Sequence, residues 1–213
     1  MNFTRKEILD GCLIASIAHG IMTNLYPELS YEQSWDGANY SIQDSSGIRG
    51  TITFESDYCV GAIRNDASDF VVSGKAIQDF IRWFPAKIAL KANEETLQYL
   101  LLEESGMVEP CATSVFWADD FAIHFDEAFS ENIQRDFVLL ERIFLPARAA
   151  IEEWIDYYDM PLCAVELLNE LYQIKSRDFR SEIVLSATQK NKIPGSYIND
   201  ECVESLRELN ILL

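Results

Sequence analysis

The periodicity of the apolar residues changes twice along this chain of 213 residues and constrains its fold more than any other feature. Leucine and isoleucine recur every four residues from Leu9 to Leu25, which is the spacing of a buried helical stripe. From about Tyr40 to Ile63 apolar and polar residues alternate, as they do in strands. Helical spacing returns after about residue 130. The sequence therefore predicts an α+β fold.

Turn signals divide the N-terminal part into a helix, a β meander and two further helices. Thr4 and Glu7 fit a capping box that begins the first helix, and Pro27 ends it. Short turns between the strands imply an antiparallel meander with packed helices. Gly50 and Gly61 stand inside strands, which indicates a bulge or the close approach of a helix. The elements expected here are an N-terminal helix at 5–26, strands at 40–43, 48–54 and 58–63, and helices at 74–84 and 94–104.

The remainder of the chain predicts one more hairpin and then helices. Aromatic and β-branched residues at 112–118 and 121–125 flank the turn Asp119–Asp120, which favours a second β-hairpin. Beyond it, apolar spacing and Pro146 and Pro161 near helix starts predict an all-helical C-terminal half. The helices expected there are at 130–145, 146–158, 161–176, 179–189 and 199–209.

The domain organisation is read from the absence of a linker in the sequence. No polar, flexible stretch separates the strand-rich part from the helical part, so we expect a single α+β domain over 1–213. If the chain has a boundary, we expect it near residue 128, with an α+β part at 1–128 and a helical part at 129–213.

The charge of the chain is strongly negative and unevenly distributed. The net charge of −18 comes from 35 acids and 17 bases, and no lysine or arginine occurs between Lys91 and Arg135 or between Arg148 and Lys175. Such a surface repels nucleic acid and anionic membranes and attracts a basic partner. One stretch, from Gln173 to Lys192, is instead rich in bases.

The cysteines and the N-terminus predict a cytoplasmic protein. Five scattered cysteines without a CxxC pair argue against a disulfide framework and against a zinc site. The N-terminus does not resemble a signal peptide, and no apolar run is long enough to span a membrane. No cofactor-binding motif is present, so we expect no cofactor.

Of the two histidines, His124 is the better candidate for a metal-binding or catalytic site. His124 and Asp126 share one face of the predicted strand, and Asp119 and Asp120 lie in the adjoining turn. An imidazole with several carboxylates can bind a divalent cation, although this spacing matches no common ligand pattern. The other histidine, His19, lies off the apolar stripe, so we expect it to be half-exposed or bonded to backbone.

Aromatic residues amid acids supply the candidate binding residues. Tryptophan and tyrosine are common anchors of interfaces, and acids around them can form a charged rim. The alternative is that Trp154 and Tyr158, four apart, form a core-facing stripe. The candidates are Trp35, Glu152, Glu153, Trp154, Asp156 and Tyr157.

Three functions remain open from the sequence. The first is an acidic module that binds and neutralises a basic partner, as an immunity protein, an inhibitor or a nucleic-acid mimic would. The second is a hydrolase or transferase built around His124, which the absence of a GxSxG or phosphate-loop motif disfavours. The third is a structural homo-oligomer that uses the basic stretch and the apolar tail Ile211–Leu213. We favour the first.

Overall fold

The computed structural model describes residues 3–68, 72–73, 75–104, 106–125 and 135–213. The chain divides into two compact units. The first, the sheet unit, comprises Met1–Lys6 and Ala38–Glu141. The second, the helical unit, comprises Glu7–Gly37 and Arg142–Leu213. Each unit thus draws on separate parts of the chain, and whether the two fold as one domain stays a prediction.

The secondary structure has the mixed α+β content that the sequence predicts. The helices are α1 (Arg5–Met22), α2 (Lys75–Ile81), α3 (Ala86–Glu94), α4 (Ala147–Tyr158), α5 (Leu162–Lys175), α6 (Ala187–Lys190) and α7 (Asp200–Glu208). The strands are β1 (Gln33–Asp36), β2 (Asn39–Gln43), β3 (Ile48–Phe54), β4 (Cys59–Asn65), β5 (Val72–Ser73), β6 (Leu101–Glu104), β7 (Met107–Ala112), β8 (Ser114–Ala118), β9 (Ile123–His124), β10 (Ile183–Val184) and β11 (Ile211–Leu212). Short 3-10 helices lie at Pro27–Leu29, Thr96–Leu100 and Phe137–Leu140.

The sheet unit is built on the predicted antiparallel meander. Strands β2, β3 and β4 pair in sequence order, and β8 adds to the free side of β4, with β9 beyond it. Helices α2 and α3 cover the sheet with an apolar layer, which confirms the predicted meander with packed helices. The predicted second hairpin is also present, with Trp117 opposite His124. The core of the sheet unit includes Val60, Ala62, Ile77, Phe80, Phe84, Ile88 and Val115.

The helix predicted at 94–104 is wrong. Residues Thr96–Leu100 form a 3-10 helix, and the chain then enters β6, which pairs antiparallel with β7. Gly106 has a φ of 80°, a left-handed conformation that glycine adopts without strain and that allows the chain to reverse direction. Leu97 and Leu100 are buried as an amphipathic helix would bury them, so the apolar spacing alone did not reveal the strand.

The helical unit is organised around α1. The side chains of this helix are buried on all sides from Cys12 to Met22, so it is a central helix and not a surface one. It ends at Met22, earlier than predicted. None of the described helices is both long enough and apolar enough to span a membrane.

The helix predicted at 179–189 is also wrong. Ile183 and Val184 form β10, which pairs in parallel with β11. Helix α6 begins only after Ser186, which forms a capping box with Gln189. The turn that precedes β10 is fixed by Lys175, whose Nζ donates to the carbonyls of Phe179 and Ser181. This buried lysine thus diverts the chain from the helical path.

Gly61 on β4 generates a stability prediction. A Cβ at this position would lie 2.2 Å from Cζ of Phe116, which faces Gly61 from β8 and is fully buried. The ring also packs edge-on against Phe137, 5.7 Å away, so it cannot move aside freely. We expect Gly61→Ala to lower the free energy of unfolding by about 1–3 kcal/mol, as overpacking does in well-packed cores.

A matched control lies on the neighbouring strand. In Gly50→Ala the new Cβ would meet its nearest atoms at 3.5 Å, an ordinary contact, so the free energy of unfolding should change by no more than about 1 kcal/mol. Denaturant titration of both variants measures the difference. Equal stability of the two variants would contradict the packing of Phe116 over Gly61.

Candidate functional site

Helix α4 presents four of the six candidate binding residues on one exposed side. Glu152, Glu153, Asp156 and Tyr157 are all exposed. Their spacing places 152 beside 156 and 153 beside 157, because helical residues four apart are neighbours on the surface. We call these four residues the acidic face. It combines three carboxylates with one aromatic ring.

A buried aromatic layer lies beneath the acidic face. Trp154 is 4% exposed and stacks on Tyr158 with the ring centroids 5.8 Å apart. It meets Tyr157 edge-on at 5.4 Å. Trp154 therefore belongs to the core-facing stripe of α4 and does not offer its ring to a partner, but it supports the ring of Tyr157 from below.

Tyr157 is held in place by two charged side chains of the helical unit. The guanidinium of Arg142 lies over its ring, 4.5 Å from the centroid. Its hydroxyl donates to Oε2 of Glu32 at 3.4 Å. Partial burial and the neighbouring Glu32 carboxylate raise the pKa of Tyr157, so the hydroxyl stays protonated at neutral pH. The ring remains 41% exposed and is presented in a defined orientation.

His19 anchors this aromatic layer to the centre of the helical unit. It is 1% exposed, so the half-exposed position is wrong, whereas the interaction with the Ser30 backbone agrees with the other alternative, a histidine bonded to backbone. Its Nδ1 lies 2.9 Å from the hydroxyl of Tyr158. Burial lowers the pKa of His19 to about 4, against a smaller opposing effect from the Ser30 backbone. The imidazole is therefore neutral at physiological pH and serves as a structural partner of Tyr158.

The described contacts of Trp35 are with residues outside the acidic face. It is 6% exposed, and its Nε1 donates to Oγ of Ser16 at 2.7 Å. Its ring packs against Phe179, 6.1 Å between centroids. Its backbone N–H donates to Glu208. The indole is thus buried and satisfied inside the helical unit, which leaves little of it for a partner to contact.

The predicted His124 site is only partly assembled. Nε2 of His124 lies 3.2 Å from Oδ2 of Asp119, and the imidazole stacks on Trp117 at 3.9 Å. Burial alone would raise the pKa of Asp119, but hydrogen bonds from the backbone of Ala122 and Phe121, together with His124, lower it. The pair is a hydrogen-bonded histidine and carboxylate at the end of a hairpin.

The other two predicted metal ligands do not join this pair in the described structure. Asp120 forms an ion pair with Arg5, with 3.1 Å between Oδ1 and Nε, and Asp126 lies outside the described residues. No group of three histidine, cysteine or acidic side chains placed to hold a metal ion occurs among the described residues. Within that part of the chain, His124 and Asp119 supply two ligands, too few for a stable divalent site.

Several of the residues that suggested a homo-oligomer make contacts within the helical unit instead. In the basic stretch, Lys175 is fully buried, and burial lowers its pKa to about 8. Lys192 forms ion pairs with Glu166 and Glu170. In the apolar tail, Ile211 is fully buried and pairs with β10. Arg177 and Arg180 of the basic stretch remain exposed.

Sequence reasoning missed the residues that orient Tyr157. Glu32 and Arg142 are more than a hundred positions apart in the chain and share no motif with α4. Only the fold brings them to the same ring. The one usable signal was composition, because tyrosine and arginine are each enriched at interfaces.

Burial of His19 predicts a pH-dependent stability. The unfolded chain binds a proton at His19 near pH 6.5, whereas the folded pKa is about 4. The free energy of unfolding should therefore fall as the pH is lowered from about 6.5 to 4, by up to about 3 kcal/mol. In His19→Gln this contribution should be absent, and the curve should be flatter over that range.

His124→Gln provides the control for this titration, because His124 is partly exposed and lies in the sheet unit. It should keep the fall in stability that the buried His19 causes between pH 6.5 and about 4. Denaturant unfolding at a series of pH values measures all three proteins. A wild-type slope in His19→Gln would show that the imidazole is not buried in its neutral form.

Comparison of the chain with known proteins gives no match to a protein-family model, to a curated protein or to a solved structure.

Proposed function

We propose that this chain is a protein-binding module that docks a basic protein on the acidic face of α4. The observation that carries the proposal is the arrangement of that face: Glu152, Glu153, Asp156 and Tyr157 are exposed side by side. Glu153 and Asp156 form no ion pair with any base that the structure describes, and Glu152 pairs only with the highly exposed Arg148.

The physical advantage of such a face lies in association. Exposed carboxylates add little to the stability of a fold, but they steer a basic partner and raise the rate of encounter. The ring of Tyr157 supplies the apolar contact area that charges alone do not give. Its orientation is set before binding by Arg142 and Glu32, so less side-chain entropy is lost on docking.

The charge of the whole chain supports the same class of partner. With 35 acids and 17 bases, the surface repels nucleic acid and anionic lipid directly. We accordingly place the protein among neutralising modules, either inhibitor-like, immunity-like or mimicking a nucleic acid. We also assign it to the cytoplasm, in line with its five free cysteines.

The two other functions find less support. An enzyme around His124 has one carboxylate, Asp119, at hydrogen-bond distance among the described residues. A homo-oligomer built on the basic stretch would rely mainly on the exposed Arg177 and Arg180, because Lys175 is buried and Lys192 is paired.

The test begins with capture of basic proteins from a cell lysate on the immobilised wild-type chain. The protein retained to the highest salt is identified, and its Kd is measured by calorimetry. We expect the triple variant Glu152→Gln, Glu153→Gln, Asp156→Asn to bind it at least about tenfold more weakly, because three steering charges are lost. Wild-type binding should weaken steeply as salt is raised.

A matched control separates the acidic face from the overall charge. The variant Glu28→Gln, Glu182→Gln, Glu204→Gln removes the same charge from exposed positions of the helical unit outside α4, and it should bind within about threefold of wild type. Equal weakening in both variants would attribute binding to net charge alone and contradict the proposed face. Failure of wild type to retain any basic protein would contradict the function itself.

A further inference from the structure

Arg142 is an exposed arginine placed at the acidic face by aromatic contacts. Its guanidinium carbon lies 4.5 Å from the centroid of Tyr157 and 5.8 Å from that of Trp154. Arg142 itself is exposed, as is Tyr157. An arginine held over aromatic rings loses conformational freedom before any partner arrives, which makes it a preorganised binding group.

The hydrogen-bonding capacity of Arg142 is unused among the described residues. No hydrogen bond or ion pair joins its guanidinium to another described side chain, although acids outnumber bases twofold in this chain. By contrast, Arg148 on the same surface pairs with Glu152 at 3.0 Å. A guanidinium offers five N–H donors in a planar fork whose natural complement is a carboxylate or a phosphate.

The charges around Arg142 decide between these two complements. A phosphate carries more negative charge than a carboxylate and would share the surroundings of the Tyr157 ring with Glu32, whose carboxylate accepts from the Tyr157 hydroxyl and would repel it. If the partner instead presents one carboxylate to Arg142 and basic side chains to the surrounding acids, each charge of the partner meets an opposite charge on this chain. Mixed complementarity of this kind penalises partners with the wrong charge pattern and therefore gives specificity.

We infer that Arg142 is the specificity contact of the acidic face and pairs with an aspartate or glutamate side chain in the basic surface of the partner. This inference rests on the proposed function, since it defines the partner that the face accepts. The partner is a basic protein with one acid at the centre of its docking surface, and not a general polycation.

Two arginine variants give opposite expectations. Both Arg142→Gln and Arg148→Gln remove one positive charge from the surface around the acidic face. If charge alone governs docking, both should bind the captured basic protein slightly more tightly. We expect Arg142→Gln to bind it about tenfold more weakly, because the partner's carboxylate loses its pair, and Arg148→Gln to bind as well as wild type or up to about threefold more tightly.

Two further variants separate recognition from packing. Arg142→Met keeps an apolar stem over Trp154 but has no donors, so it should weaken binding as Arg142→Gln does while its melting temperature stays close to that of wild type. Arg142→Lys keeps the charge but loses the planar fork, and we expect an intermediate loss of affinity. Wild-type affinity in Arg142→Met would overturn the inference.

The outcomes distinguish this inference from the function on which it rests. Tighter binding in both Arg142→Gln and Arg148→Gln, together with loss of binding in the triple variant of the acidic face, would overturn the role of Arg142 and leave the proposed function standing. Absence of any partner, or insensitivity to the triple variant, would overturn both.

Discussion

The excess of acids over bases is the constraint on which the rest of this structure depends. With 17 bases for 35 acids, no arrangement can give each carboxylate its own cation. The chain uses many of its bases to fix turns and element ends inside each unit. These ion pairs are Arg5–Asp120, Arg64–Asp66, Lys87–Asp57, Lys91–Glu55 and Lys192–Glu170. The carboxylates that remain unpaired lie at the surface, and some of them lie together on one side of α4.

Because charge cannot hold the acidic face in place, apolar and aromatic packing does so. Trp154 and Tyr158 bury the inner side of α4, and Tyr158 is fixed by the neutral imidazole of His19. Three carboxylates close together on a helix repel one another weakly, and burial of two large aromatic rings offsets that repulsion many times over. The packing of the buried side of α4 thus fixes the orientation of the residues on its exposed side.

Sequence patterns predicted the parts of this structure that depend on local spacing. The meander, the β8–β9 hairpin and helices α4 and α5 follow from period-two and period-four patterns and from Pro146 and Pro161. Of the helix predicted at 130–145, the described residues are helical only at 135–136 and in the short 3-10 helix Phe137–Leu140, so its predicted extent to 145 is wrong as well. The other two wrong helices have causes that local patterns do not contain. One is the β6–β7 pairing beyond a 3-10 helix, and the other is the parallel pairing of β10 with a strand near residue 211.

The candidate site was predictable to the same extent and for the same reason. The acids of α4 share one helix, so their common exposure follows from helical geometry. Asp120 could not be separated from His124 by sequence, because its partner Arg5 is more than a hundred residues away. The contacts of Arg142 and Glu32 with Tyr157 likewise require the tertiary fold.

The location of the partner is tested most directly by zero-length cross-linking of carboxylates to lysines in the complex with the captured basic protein. Trypsin cleaves after Arg148 and Lys175, so the acids of α4 lie in the peptide 149–175, whereas the longest base-free segment lies in the peptide 92–135. We expect the cross-links to the partner's lysines to fall at Glu152, Glu153 and Asp156. Cross-links confined to 92–135 would contradict docking on α4 and place the partner on the sheet unit.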